Sequence, residues 1–143
     1  MIYGIGLDVL RVARIAKVHK RHGERFVDRL LHPLERKEYE AAKHPVQYLA
    51  KSFAVKEAFV KALGTGLQRE LSSFEVDVSP QAVCPRIRLD DDDGRSSWNL
   101  RSFSPRSHYI AAVALDRDIE ALEFFDWSSD ALAARAANPF ARQ

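Results

Sequence analysis

Cysteine is nearly absent: Cys84 is the single one in 143 residues. No disulfide can form within the chain, and a reducing compartment is expected. Beside Pro85, Cys84 reads as a small, semi-buried apolar residue. Long hydrophobic runs are missing too. None approaches the roughly 20 apolar residues that cross a bilayer, so no membrane span is expected. The opening segment Met1–Val9 is too short for a secretory core and already holds Asp8, so no targeting peptide is read there and the expectation is a soluble, cytoplasmic protein. There are no internal repeats, no Walker-type phosphate loop and no dinucleotide fingerprint. An excess of one charge is also lacking overall, with 22 Lys/Arg against 20 Asp/Glu for a net +2.

The distribution of charge says more than its sum. Residues 1–66 carry 13 basic and 7 acidic side chains, leaving 9 and 13 for residues 67–143. A basic N-terminal half suits a polyanionic ligand or an acidic partner. The basic residues are not interleaved with aromatics and no nucleic-acid motif accompanies them, so nucleic acid is not the expected partner.

The length and a 46% hydrophobic content fit one domain over residues 1–143. A strand is expected near Ile2–Val9, with Gly4 and Gly6 on one face and Asp8 at its exit. Helical spacing follows from Arg11 to Lys20, with Val12, Ile15 and Val18 or His19 inward and Arg14, Lys17 and Arg21 along another face. Gly23 stops it. Shorter helices are expected over Glu24–Leu31 and Pro33–Lys43, and the longest over Val46–Leu63 with Gly64 as its stop. Strands then follow at Phe74–Ser79, Arg86–Leu89, Trp98–Phe103 and Tyr109–Leu115, and alternation through Ser73–Val78 gives one wet face. Asp90–Gly94 reads as a solvated acidic turn, since the spacing of a calcium loop is missing. The whole is α+β: an antiparallel sheet packed against one long helix and several short ones.

Glu57 and Lys61 lie four apart on one helical face. An exposed ion pair would be the ordinary explanation. Yet Ala54, Val55, Ala58, Phe59, Val60 and Ala62 surround them, so the helix is apolar over most of its circumference and a carboxylate there must be paired or hold a cation. Gly64-Thr65-Gly66 follows directly, free to approach a phosphate closely, or serving only as a helix cap. Asp8 could equally cap the helix after it. Together, two carboxylates, a lysine, a glycine-rich turn and surplus positive charge are what a Mg²⁺–diphosphate site requires.

These residues carry a resemblance. Gly4-Ile5-Gly6-Leu7-Asp8 with Arg14-Ile15, and Phe53 through Gly66, closely resemble two motifs of the holo-acyl-carrier-protein synthases, within the 4′-phosphopantetheinyl transferase superfamily. Ser73-Phe74 and Pro85–Leu89 also fit, so the likeness spans roughly residues 2–115. It implies transfer of the 4′-phosphopantetheine arm from coenzyme A to a serine of apo acyl carrier protein, releasing adenosine 3′,5′-bisphosphate. It makes Asp8 and Glu57 Mg²⁺ ligands, and Asp8, Glu57 and Lys61 the catalytic set, with the serine's proton going to Glu57, Lys61 or a metal-bound water. Lys51, Lys61, Gly64, Thr65, Gly66, Ser104 and Arg106 are the expected coenzyme A contacts. Arg14, Lys17 and Arg21 would grip the acidic carrier.

The chain departs from the family in places. Ser52 stands where an arginine is common, with Lys51 nearest to replace it. Ser102-Phe103-Ser104 runs into Pro105 where many members have a histidine for the 3′-phosphate, leaving Arg106 or His108 to serve. The stretch from Leu89 to Trp98 is short, and Trp98–Leu115 looks like the closing strands of the larger, two-lobed transferases. The resemblance further implies a homotrimer in which Asp8 and Glu57 face each other across a subunit interface. Residues 115–143 are an extension without assigned role. The contrasting reading is a non-catalytic module that binds an acidic partner or nucleic acid through its basic helix, without a divalent metal.

Overall fold

The computed structural model describes residues 4–64, 69–78, 86–89 and 98–115. Thr65, Gly66, Cys84, the Asp90–Gly94 turn and the extension after Leu115 lie outside the described residues. Strand β1 (Ile5–Arg11) leads into α1 (Val12–His22) and α2 (Glu24–Leu30), hinged at Gly23 with φ 51°. A 3₁₀ turn (Pro33–Glu35) opens α3 (Arg36–Ala41), and α4 (Pro45–Leu63) is the long helix. After a second 3₁₀ turn (Leu71–Ser73) come β2 (Phe74–Asp77), β3 (Arg86–Leu89), β4 (Asn99–Phe103) and β5 (Tyr109–Leu115).

The strands form two antiparallel sheets, β1-β5-β4 and β2-β3. The α+β expectation holds. Helix α4 starts with Pro45 at its first turn and stops at Gly64, whose φ of 70° admits the left-handed cap. It packs against β1 and β5 on one side and against α1, α2, α3 and β2 on others. This explains why eleven of its residues are buried and its apolar surface runs nearly all round. Phe59 is the centre of the core, 5.1 Å from the Phe74 ring and 4.9 Å from the Trp98 ring.

Two glycines let β1 lie directly on α4. A Cβ at Gly6 would stand 1.8 Å from the Ala58 carbonyl oxygen, and one at Gly4 2.3 Å from that of Ala62. Only hydrogen fits between strand and helix here. Asp8 is the next residue on that face, and so is aimed at α4. The opposite face of β1 carries Ile5, Leu7 and Val9, exposed at 65%, 52% and 52%.

The sequence boundaries shift in two informative places. β1 runs on to Arg11, which pairs with Tyr109, and the Val12 N–H then donates to the His108 carbonyl. Asp8 therefore sits inside the strand, opposite Ala112, and the residue preceding α1 is Arg11. The reading of Asp8 as a helix cap is thereby corrected. Pro33–Glu35 tightens into a 3₁₀ turn because Glu35 folds inward: its Oε2 accepts the His32 N–H at 2.7 Å while the His32 ring accepts from Leu34 N–H. In β2, Phe74 and Val76 are buried and Glu75 and Asp77 half-buried, the alternation expected of a sheet with one wetter face.

Candidate active site

Asp8, Glu57 and Lys61 converge where β1 crosses α4. Lys61 Nζ donates to Asp8 Oδ1 at 2.8 Å and to the Leu7 carbonyl at 3.0 Å. The anticipated ion pair along the helix is thus replaced by one from helix to strand. Asp8 is mostly enclosed and Lys61 half-exposed, with side-chain exposures of 14% and 49%. The second oxygen, Asp8 Oδ2, is buried without a hydrogen-bond partner. An orphaned carboxylate oxygen costs on the order of 1–3 kcal/mol. Such a cost is tolerated where a ligand later satisfies the atom.

Glu57 is half-buried, and its carboxyl pKa is raised above 4.5 by burial first and by the Asp8 charge second. Lys61 and Arg14 pull it partly back. Two carboxylates that repel each other, with one oxygen unsatisfied, suit a hard divalent cation. Mg²⁺ takes one or two carboxylates and keeps waters or phosphate oxygens for its other positions. Among the described residues no group of three or more His, Cys, Asp or Glu gathers, so an all-protein cage is not what these residues build. The donor set fits Mg²⁺.

Asp8 and Glu57, expected to face each other across a subunit interface, already lie near enough within one chain for the Asp8 charge to act on Glu57. A single chain brings them together, because Gly4 and Gly6 seat β1 on α4 and leave Asp8 as the next residue on that face. Gly64 closes the helix as expected.

The remaining expected contacts lie elsewhere. A cavity of about 700 Å³ sits beside the first turns of α4, lined among others by Lys43, His44, Tyr48, Lys51, Ser102 and Ser104. None of Asp8, Glu57 and Lys61 lines it. Lys51 is anchored there, donating to the Val78 carbonyl at 3.0 Å, and burial lowers its pKa. Ser104 joins Lys51 at the wall. Arg106 stays exposed in the β4–β5 turn and does not line the cavity. Lys43, His44 and Tyr48 were not singled out from sequence; the signal available was their place just before and within the first turns of the long helix. Arg14, Lys17 and Arg21 are all exposed on α1, and Arg14 is near enough to act on Glu57.

The long helix laid on a three-stranded antiparallel sheet is an arrangement with counterparts among known proteins. The family model of the 4′-phosphopantetheinyl transferase superfamily matches residues 4–114, and the chain belongs to that family. A holo-[acyl-carrier-protein] synthase of Azoarcus sp. (strain BH72) is 41% identical over 122 residues, covering 80% of this chain and 97% of the relative. The crystal structure of the Neisseria meningitidis holo-[acyl-carrier-protein] synthase superposes with a TM-score of 0.72 at 32% identity, covering 82% of this chain and 100% of that one. The Helicobacter pylori synthase, solved in complex with coenzyme A, gives 0.61 at 29% identity over 77% of this chain and 96% of that one.

The raised pKa of Glu57 has a testable sign. A proton held more tightly competes with a cation at higher pH, so Mg²⁺ affinity should fall on acidification with a midpoint above the ordinary value of 4.5. Calorimetric titration with Mg²⁺ from about pH 8 to about pH 4 measures it. Affinity independent of pH over that span would reject the assignment.

Proposed function

We propose that the protein transfers the 4′-phosphopantetheine arm of coenzyme A to a serine of apo acyl carrier protein, in a Mg²⁺-dependent reaction. The observation that carries this reading is the orphaned Asp8 Oδ2 beside the raised carboxyl of Glu57, with Lys61 at the same spot. Membership of the transferase superfamily, and relatives named holo-[acyl-carrier-protein] synthase, support the same chemistry.

The serine hydroxyl attacks the phosphorus that bears the pantetheine arm. Its bond to the leaving phosphate oxygen breaks, adenosine 3′,5′-bisphosphate departs, and the hydroxyl proton passes to a base. Mg²⁺ held by Asp8 and Glu57 supplies charge neutralisation for the diphosphate. Lys61 already reaches the strand by its Nζ, and turning toward a phosphate oxygen would exchange one anionic partner for another. The cavity with Lys51 and Ser104 is the place for the nucleotide end, in a size range usual for small-ligand sites. Lys43 at its wall supplies positive charge, with Pro105 standing where many family members have a histidine.

The assembly is a homotrimer, as the resemblance implies. The exposed row Ile5, Leu7, Val9 on an edge strand supports self-association, because an apolar edge left in water invites pairing. Since the two carboxylates already meet within one chain, a second copy would complete the site from the cavity side, which the carboxylates of its own chain do not line. The chain works in the cytoplasm, consistent with a lone cysteine.

Incubation with coenzyme A, Mg²⁺ and apo carrier protein should raise the carrier's mass by the arm, read by mass spectrometry. Glu57→Gln should reduce that rate at least a hundredfold while the protein stays folded; no mass gain with several carriers, or full activity of Glu57→Gln, would sink the reading. Carrier docking on α1 is tested at Lys17 and Arg21, since Arg14 also acts on Glu57. Reversing both charges should raise the KM for the carrier about tenfold and spare that for coenzyme A. Equal loss for both would reject docking there. Leu7→Glu should lower the sedimentation mass to that of one chain; an unchanged mass would remove the β1 row from the interface.

A further inference from the structure

Lys56 precedes Glu57 on α4 but points into the core, with a side-chain exposure of 0%. Its Nζ lies 2.8 Å from Glu35 Oε2, 2.8 Å from the Leu30 carbonyl, 2.8 Å from that of Leu71 and 2.9 Å from that of Phe74. Four oxygens more than saturate the three protons of an ammonium. Glu35, exposed at 1%, accepts in turn from the N–H groups of His32 and Val76, each at 2.7 Å. One ion pair therefore ties α4 to the end of α2, both 3₁₀ turns and β2.

Stability alone does not explain such a pair. A buried ion pair roughly breaks even with apolar side chains of the same volume, because desolvation offsets the Coulombic gain. What it adds over leucine or methionine is direction. Apolar contacts let a helix roll about its axis by a small angle at little cost, whereas an ammonium fixed by four acceptors does not permit it. The magnitude matters: a roll of about 20° moves a side-chain tip about 6 Å from the axis by roughly 2 Å. Metal and catalytic constellations tolerate displacements of only about 0.5 Å. The same ammonium also holds the Leu71 carbonyl in the second 3₁₀ turn.

We propose that Lys56 and Glu35 are positioning residues for the cation site: by fixing the roll of α4 they set Glu57 against Asp8. This rests on the reading of Asp8 and Glu57 as metal ligands. Neither Lys56 nor Glu35 touches the cation or substrate.

The test replaces the whole pair, as Lys56→Met together with Glu35→Leu, so that no buried charge is left alone. The probe is Mn²⁺ bound to the protein without coenzyme A or carrier, followed by electron paramagnetic resonance, with thermal unfolding in parallel. The expected result is a folded protein whose Tm lies within about 5 °C of the parent. Its Mn²⁺ affinity should fall at least about tenfold. A folded variant with the parent's Mn²⁺ affinity would overturn the proposal. Should the double variant not fold, Glu35→Gln, which conserves volume, is put to the same measurement, and parental affinity there overturns it equally. The parent and Glu57→Gln separate the two levels. If the parent binds no Mn²⁺, the metal reading fails and the proposal with it. If the parent binds, Glu57→Gln does not and the pair variant binds like the parent, positioning alone fails.

Discussion

The site depends first on one backbone-to-backbone contact, the seat of β1 on α4. At Gly6 the helix carbonyl of Ala58 occupies the space where any side chain would begin, and at Gly4 that of Ala62 does the same. Closing this distance brings Asp8, on the same face of the strand, within hydrogen-bonding reach of a lysine on the helix. A larger residue at either glycine would lift the strand, and the acidic pair would separate before any charge had changed. The electrostatics of the site are thus set by sterics several residues away.

The helix α4 carries two kinds of charge with opposite fates. Lys56 is wholly enclosed and saturated by oxygens, while Lys61, one turn and a little further on, stays half in water. Glu57 lies between these extremes, half-buried and repelled by Asp8. A fully buried carboxylate would stay protonated or locked in a pair, and a fully exposed one would hold a cation weakly. The intermediate environment leaves Glu57 neither locked in a buried pair nor fully hydrated.

Much of the fold was legible because its punctuation is chemical. Gly23, Pro33 and Gly64 bound helical segments where φ preferences say they should, and the strands Arg86–Leu89 and Tyr109–Leu115 lie where the sequence reading puts them. The site was legible as a set of residues, since carboxylates and lysines in an apolar helix need a reason to be there. What was not legible was long-range pairing. Nothing in the local spacing says that Lys61 would turn to Asp8 rather than Glu57, or that Lys56 would find Glu35, 21 residues earlier. The placement of the two carboxylates in one chain was likewise hidden, because it follows from a close approach between elements distant in sequence. Pocket residues such as His44 and Tyr48 carry no motif, and it is the packing of α4 against β4 and β5 that collects them.

Strand β1 serves two masters by parity. Gly6 and Asp8, with Gly4 just ahead of the strand, face the helix, and its odd-numbered residues Ile5, Leu7 and Val9 face outward on the edge of the sheet. A one-residue shift in a strand exchanges its two faces completely. An insertion or deletion within this segment would therefore drive isoleucine and leucine into a gap that admits only hydrogen, and turn the aspartate out to solvent. Chemistry and surface would be lost in one event. The segment can vary by substitution on its outer face, but its length is frozen.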